Sequence, residues 1–312
     1  MKTSVVISDG TFPCDTAPLQ GPLEMVAREA AALGFDALQL TVNRPEELNP
    51  ASIKAEIEKY GLSISGFATG RGYSVDGLSL SSDREEIRKE AVERMKRHMD
   101  TAALLDHAQV VIGSIRGMVS ECSSPERFEE NLSLSLQELI SYAAERQVPL
   151  TLEVIHQPEK FYFKKTADTA AFIRGFGSPY LHLHLDTMQL LCEENPFQAV
   201  QEGRDVLSQI DISDAGRHCP DGKHFDYPGL VRTLKEISYD GLLVFEYQPE
   251  EGGAERGLKY ITGPVSYTHL RSGWSHPGQI PVLLYNSSTC RFPRSDRTGS
   301  RISHLEGLPA RC

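Results

Sequence analysis

The sequence has little that would place the chain in a membrane or on a nucleic acid. No apolar run approaches the roughly 20 residues that a membrane-spanning helix needs, and Val5–Ile7 is too short for a signal-peptide core. Acidic residues outnumber basic ones by 43 to 32, which gives a net charge of −11. That charge argues against a nucleic-acid partner. These absences predict a cytoplasmic protein that binds neither membrane nor nucleic acid.

Cysteine is also scarce and unpaired in spacing. The chain has six cysteines, and no two of them form a CxxC motif. This usage favours free thiols in a reducing compartment over a disulfide framework.

The composition changes near Pro264. From residue 265 to residue 312 there are six arginines, no lysine and two acids, so this segment carries +4 and residues 1–264 carry −15. A docking extension or a disordered tail would fit. However, the run at 265–271 resembles translated sequencing-adapter read-through followed by out-of-frame sequence. We therefore predict a single domain at 1–264 and a non-native, irregular tail at 265–312.

Short apolar runs alternate with amphipathic stretches through the first 264 residues. The eight predicted strands are Ser4–Ser8, Ala37–Val42, Ser63–Ala68, Gln109–Gly113, Leu150–Ile155, Leu181–Asp186, Gln209–Ser213 and Leu242–Tyr247. The predicted helices are Leu23–Leu33, Arg84–Leu105, Phe128–Arg146, Ala167–Ile173, Pro196–Leu207, Tyr227–Ile237 and Ala254–Ile261. This alternation predicts an α/β fold of the (β/α)8 TIM-barrel type. A doubly wound open sheet is the alternative, but residues 8–12 lack the glycine-rich turn that usually follows its first strand.

Two segments that lead into predicted strands resemble each other. Residues 33–38 and residues 238–243 both place a turn-forming residue and an aspartate before an apolar strand. A short helix-to-strand loop requires such residues. The similarity indicates equivalent roles for the two segments in a repeated architecture.

Four consecutive predicted strands carry a carboxylate at or near the C-terminal end. They are, in order, Glu153, Asp186, Asp211 and Glu246. A single acid at a strand end is usually a loop cap or a surface charge, but the site of a TIM barrel lies at these strand ends. Neighbouring carboxylates repel unless a cation neutralises them, and oxygen ligands favour Mg²⁺ or Mn²⁺. The pattern therefore predicts a divalent-metal site.

Two histidines also lie in the sixth predicted strand. His182 and His184 alternate with leucines, so they share one face of the strand. We interpret them as wall residues of the barrel or as hydrogen-bonded packing, in preference to metal ligands.

These residues together resemble the sugar phosphate isomerase/epimerase family, whose fold is a xylose-isomerase-like TIM barrel. The closest resemblance is to ketose 3-epimerases of the tagatose/psicose 3-epimerase type, over roughly residues 3–262. It rests on Glu153 with a second glutamate six residues later, Asp186 followed by threonine, a seventh strand followed by Arg217, and Glu246.

The resemblance implies a role for each matching residue. Glu153 and Glu246 would be metal ligands that also act as the catalytic acid–base pair, and Asp186 would be a further ligand. Glu159 would contact a substrate hydroxyl group, and Arg217 would bind substrate.

The chain departs from the family pattern at three histidine positions. The seventh-strand ligand is Asp211, the position three residues after the sixth-strand aspartate is Gln189, and the seventh strand begins at Gln209. Asp211 keeps an oxygen ligand and adds a negative charge, which favours a hard ion. Gln189 keeps hydrogen-bonding capacity for substrate but cannot titrate near neutrality.

The predicted function is that of a metal-dependent sugar epimerase or isomerase. It would move a proton next to a carbonyl group through an enediolate, with Mn²⁺ or Mg²⁺ as cofactor and a small sugar as substrate. Basic residues are scarce near the strand ends, which favours a free sugar over a sugar phosphate. The alternatives are a dehydratase or lyase of the inosose dehydratase type and a non-catalytic sugar-binding barrel. The sequence leaves homo-oligomerisation open.

An endonuclease IV-type barrel is disfavoured. Such a site needs several histidines at the strand ends, which this chain lacks, and the acidic body opposes DNA binding.

Overall fold

The computed structural model of the protein describes residues 1–156 and 162–263. The strands in these ranges are β1 (Lys2–Ser8), β2 (Leu19–Gln20), β3 (Ala37–Thr41), β4 (Ser63–Ala68), β5 (Gln109–Ile112), β6 (Leu150–Glu153), β7 (Leu181–Asp186), β8 (Leu207–Ile212) and β9 (Leu242–Phe245). The helices are α1 (Leu23–Leu33), α2 (Pro50–Glu58), α3 (Gly70–Ser74), α4 (Glu85–Ala103), α5 (Pro125–Arg146), α6 (Thr166–Phe176), α7 (Thr187–Leu190), α8 (Pro196–Gly203), α9 (Tyr227–Glu236) and α10 (Gly253–Thr262).

Eight parallel strands close into a barrel. β1 pairs with β3, each later strand pairs with the next as far as β9, and β9 pairs back with β1. The two-residue β2 pairs with the end of β1 and is additional to the ring of eight. The predicted (β/α)8 architecture is therefore confirmed.

Two predictions fall on residues that the structure does not describe. One is Glu159, and the other is the non-native tail at residues 265–312. Both stay predictions. No helix in the described ranges is long and apolar enough to cross a membrane.

Side chains along β7 point alternately to the apolar core beneath the helices and to the inside of the barrel. Leu181, Leu183 and Leu185 are buried in the main apolar core. Leu183 lies so close to α8 that a Cβ atom on Gly203 would come within 2.4 Å of its Cδ2. The intervening residues, among them His184, occupy the opposite face of the strand, which is the inside of the barrel.

The inside of the barrel is mostly polar. Ser4 and Ser65 share a hydrogen bond of 2.7 Å, and Gln39, Gln109 and Gln209 are linked through their amide groups. The small apolar patch inside the barrel consists of Val6, Ala17 and Val244. A hydrogen-bonded layer thus lies directly beneath the C-terminal strand ends.

Several predicted boundaries differ from the structure, and the end of α8 differs most. The helix predicted at Pro196–Leu207 ends at Gly203, and Leu207 begins β8 and pairs with Leu183 of β7. The backbone turns where Val206 N–H donates to the Gly203 carbonyl at 3.0 Å. The helical period could not reveal this turn, because a helix and a strand would both place an apolar Leu207 against the core.

Candidate active site

The four predicted carboxylates lie at one end of four neighbouring strands. Asp186 and Asp211 are direct register partners of β7 and β8. Glu153 ends β6 and pairs with His184 of β7. Glu246 directly follows β9, where its N–H donates to the Ile212 carbonyl at 3.2 Å. The closure of the barrel therefore brings these side chains to one rim.

Three of the four carboxylates form a tight group. Asp186, Asp211 and Glu246 each offer an oxygen within 4.8 Å of the others, a set that could hold a metal ion. Glu153 is not part of this group but lies close enough to interact with it electrostatically. Burial raises the pKa of Glu153 and the charges of Asp186 and Glu246 raise it further, whereas His184 opposes the shift.

Arg217 neutralises part of this negative charge. Its Nη1 lies 2.7 Å from Asp186 Oδ2 and 2.9 Å from Glu246 Oε2. The residue adopts a left-handed conformation with φ of 62°, and its carbonyl accepts from Gln248 N–H at 2.8 Å. An unfavourable backbone conformation in a non-glycine residue is commonly retained at a functional site.

The surroundings of Glu246 favour its charged form. Burial by itself would raise the pKa of this carboxyl group, but Arg217 and a hydrogen bond from Thr16 outweigh burial and lower the pKa. Thr16 Oγ1 donates to Glu246 Oε1 at 2.7 Å. Thr16 lies in the loop after β1, and no sequence pattern linked it to a glutamate 230 residues away.

Asp186 offers an oxygen that suits a cation. Its Oδ1 accepts from Met188 N–H at 2.8 Å. Its buried Oδ2 pairs with Arg217 but accepts no well-formed hydrogen bond from the described residues. Burial raises the pKa of Asp186, and Arg217 opposes this shift. A buried oxygen in this state fits a Mg²⁺ or Mn²⁺ ligand.

Asp211 contacts the polar side chains inside the barrel. His184 Nε2 lies 3.0 Å from Asp211 Oδ1, and Gln209 Nε2 donates to the same oxygen at 2.6 Å. Burial raises the pKa of Asp211, and the neighbouring imidazole opposes that shift. Burial alone would lower the pKa of His184, but Asp211 outweighs burial and raises it to about 9. The sequence-based interpretation of His184 as hydrogen-bonded packing agrees with these contacts.

Gln189 and Gly113 border the group. Gln189 is buried, and its Oε1 accepts from His156 N–H at 2.9 Å, which connects the segments after β6 and β7. Gly113 directly follows β5, and a Cβ atom there would lie 2.7 Å from Glu153 Oε2. The absence of a side chain at Gly113 thus leaves the space that Glu153 occupies. The sequence did not predict this role for Gly113.

The geometry defines a (β/α)8 barrel with a carboxylate-rich site at the C-terminal ends of its strands. The Xylose isomerase-like TIM barrel family matches residues 27–263. The chain belongs to that family.

Several relatives are sugar epimerases by name. The L-ribulose 3-epimerase of Methylomonas sp. (strain DH-1) is 25% identical over 224 residues, which cover 70% of this chain and 75% of the relative. The ketose 3-epimerase of Arthrobacter globiformis is 23% identical over 217 residues, or 68% and 73% of the two chains. The protein is accordingly an isomerase of the epimerase type.

A solved structure shares the fold. The apo form of 3-keto-D-glucoside 4-epimerase from E. coli superimposes with a TM-score of 0.69 at 19% identity, over 84% of this chain and 99% of the other. At this identity the likeness supports the fold alone.

Proposed function

We propose that the protein is a divalent-metal-dependent ketose epimerase or isomerase that moves a proton on a carbon next to a carbonyl group. The observation that carries this proposal is the convergence of Asp186, Asp211 and Glu246 within 4.8 Å, with Glu153 beside them. The relatives named as 3-epimerases support a ketose as substrate and carbon 3 as the reacting centre.

The donor set fits a hard cation. All the candidate ligand atoms are carboxylate oxygens, which Mn²⁺ and Mg²⁺ accept readily. Asp186, Asp211 and Glu246 would hold the ion together with Glu153. When bound, the ion would polarise the substrate carbonyl and acidify the neighbouring C–H group.

The two glutamates are suited to opposite halves of a proton transfer. In the metal-free protein, the pKa of Glu246 is lowered by Arg217 and Thr16, whereas that of Glu153 is raised by burial. Surroundings that favour the charged form of one carboxyl group and the neutral form of the other suit a base and an acid. Glu246 would take the proton, so the C–H electron pair moves into an enediolate of the sugar. Glu153 would then donate its own proton to the opposite face of the same carbon.

The alternative outcome differs in one step. If the carboxyl group that took the proton returns it to the adjacent carbon, the product is an isomer and not an epimer. The relatives that are 3-epimerases by name favour epimerisation.

Arg217 would help to orient the substrate. Its guanidinium group is already paired with Asp186 and Glu246, so little net positive charge is left for a phosphate. A hydroxyl or carbonyl oxygen of a free sugar fits this neutralised environment better. Gln189 and Glu159 complete the proposed substrate contacts.

The first test is Glu246→Gln, which keeps the shape of the side chain but removes its basicity. We expect turnover of a free ketose with Mn²⁺ to fall roughly 10²- to 10⁴-fold. The matched control is Glu251→Gln, an exposed glutamate in the loop after β9, which should keep wild-type turnover. Full activity in Glu246→Gln would disprove the acid–base assignment. Release of a dehydrated sugar instead of an epimer would favour a dehydratase.

A further inference from the structure

We propose that His184 and Gln209 are positioning residues that hold Asp211 by its Oδ1 and thereby direct its Oδ2 to the metal. This inference rests on the proposed function, because it assigns a task to residues around the same metal site. His184 and Gln209 do not belong to the group of carboxylates that could ligate the ion.

Two nitrogen donors converge on one oxygen of Asp211. His184 Nε2 and Gln209 Nε2 approach Oδ1 at 3.0 Å and 2.6 Å, and the two nitrogens lie 3.3 Å apart. An ionised carboxylate only accepts hydrogen bonds, so both nitrogens act as donors to this one oxygen. Two donors on one oxygen fix the rotation of the carboxylate about its Cβ–Cγ bond. The second oxygen is then the one available to a cation.

The Nδ1 atom of the imidazole has no competing hydrogen bond among the described residues. His184 is 1% exposed, and its Nδ1 is buried without a hydrogen-bond partner in residues 1–156 and 162–263. A buried imidazole that uses only Nε2 owes its orientation to the oxygen it contacts. The contact with Asp211 is therefore the hydrogen bond that the imidazole ring makes.

The amide of Gln209 is oriented by its neighbours. Its Oε1 accepts from Gln109 Nε2, and its Nε2 also donates to Gln39 Oε1 at 3.2 Å. These contacts determine which end of the amide faces Asp211. The hydrogen-bonded glutamine amides thus extend from β3 and β5 across the barrel interior to β8.

The two donors suit an aspartate ligand. Asp211 lies in β8, and the imidazole that contacts it lies in the neighbouring strand β7 at His184. An aspartate has two equivalent oxygens, so fixed donors to one of them present the other reproducibly. Groups that orient a ligand in this way typically contribute 10- to 100-fold to metal affinity.

The test measures Mn²⁺ affinity by titration calorimetry at one pH, without substrate. We expect His184→Leu to weaken Mn²⁺ binding roughly 10- to 100-fold. His184→Gln, whose amide N–H can reach Asp211, should recover most of that loss. The matched control is His182→Leu, the same change two residues earlier on the same face of β7, which should bind Mn²⁺ like wild type.

The outcomes separate this inference from the proposed function. Wild-type affinity in His184→Leu would overturn the positioning role while the metal site itself stands. An equal loss in His184→Gln and His184→Leu would show that the imidazole acts through its volume and not as a donor, which also overturns it. Failure of the wild-type protein to bind Mn²⁺ would overturn both the proposed function and this inference. If His184→Leu does not fold by circular dichroism, His184→Asn, which is too short to reach Asp211, replaces it with the same expected loss.

Discussion

Small differences around single side chains assign distinct tasks to similar carboxylates. Glu153 and Glu246 are both glutamates at strand ends, and Glu246 accepts hydrogen bonds from Arg217 and Thr16. Glu153 instead lies against the backbone of Gly113. The proposed acid and base thus differ by their contacts and not by residue type.

Gly113→Ala tests how closely Glu153 must be placed. The added methyl group would lie 2.7 Å from Glu153 Oε2, so the carboxyl group must move. We expect turnover to fall roughly 10- to 100-fold, because small displacements of catalytic groups have effects of that size. Steady-state kinetics with a free ketose and Mn²⁺ measures the change.

The control for this substitution is Gly175→Ala in α6, where an added Cβ meets nothing within 4 Å. It should leave turnover unchanged. Unchanged turnover in Gly113→Ala would show that the position of Glu153 is not critical.

The sequence predicted the carboxylates but not their supports. Glu153, Asp186, Asp211 and Glu246 stand out because each ends an apolar strand. Supports such as Thr16 act from distant segments, and a local pattern carries no information about such contacts. The structure groups three of the predicted ligands, and their roles stay proposals.

At the scale of elements, the loops before β3 and β9 are built alike, as their sequences suggested. After α1, Gly34 takes φ of 96° and Phe35 N–H donates to the Ala30 carbonyl at 3.0 Å. After α9, Ser238 takes φ of 56° and Tyr239 N–H donates to the Leu234 carbonyl at 2.9 Å. Both helices are therefore followed by a residue in the left-handed conformation and by the same backbone hydrogen bond, from an N–H to the carbonyl five residues earlier.

Ser238→Gly should stabilise the protein. The left-handed conformation is unfavourable for serine and not for glycine, so we expect a gain of about 0.5–1 kcal/mol after the entropy of the unfolded chain is included. Thermal or denaturant unfolding measures it. The reciprocal change, Gly34→Ser, should lower stability by a similar amount, and a Ser238→Gly variant less stable than wild type would contradict this reading of the loop.

Elements with a clear period were predictable and short ones were not. Ser63–Ala68 and Leu181–Asp186 were predicted to the residue, because each is a compact apolar or alternating run between turn signals. The four-residue α7 and the five-residue α3 are too short to show a helical period. The nine-residue α2 carried a usable signal in Asn49, whose side chain accepts from Ser52 N–H at 3.1 Å.

For the molecule as a whole, closure of the barrel concentrates negative charge at one rim, and this makes stability depend on pH. In the metal-free protein the pKa values of Glu153, Asp186 and Asp211 are raised by burial, and that of His184 is raised to about 9. The folded state therefore holds protons that the unfolded state has already released.

Since these groups bind more protons in the folded state, stability should fall as pH rises from about 7 to 9. The lowered pKa of Glu246 acts in the opposite sense near and below its ordinary value of 4.5, and the lowered pKa values of His98 and His182 do so below their ordinary value of 6.5. Thermal midpoints in a chelator at about pH 7 and pH 9 measure the effect. Asp211→Asn should flatten the dependence, and saturating Mn²⁺ should counteract the loss because it binds the deprotonated carboxylates. A midpoint that is higher at the upper pH in wild type and unaffected by Asp211→Asn would refute this.

In the proposed function, Mn²⁺ and the paired glutamates move a proton at a carbon next to a carbonyl group. The most direct measurement is incubation of the Mn²⁺-loaded protein with free ketoses in D₂O, followed by mass spectrometry and NMR of the recovered sugars. We expect one deuterium at carbon 3 of an epimerised product. A chelator and the substitution Glu246→Gln should each abolish this deuterium incorporation. A Mn²⁺-bound protein that introduces no deuterium into any ketose tested would contradict the proposed function.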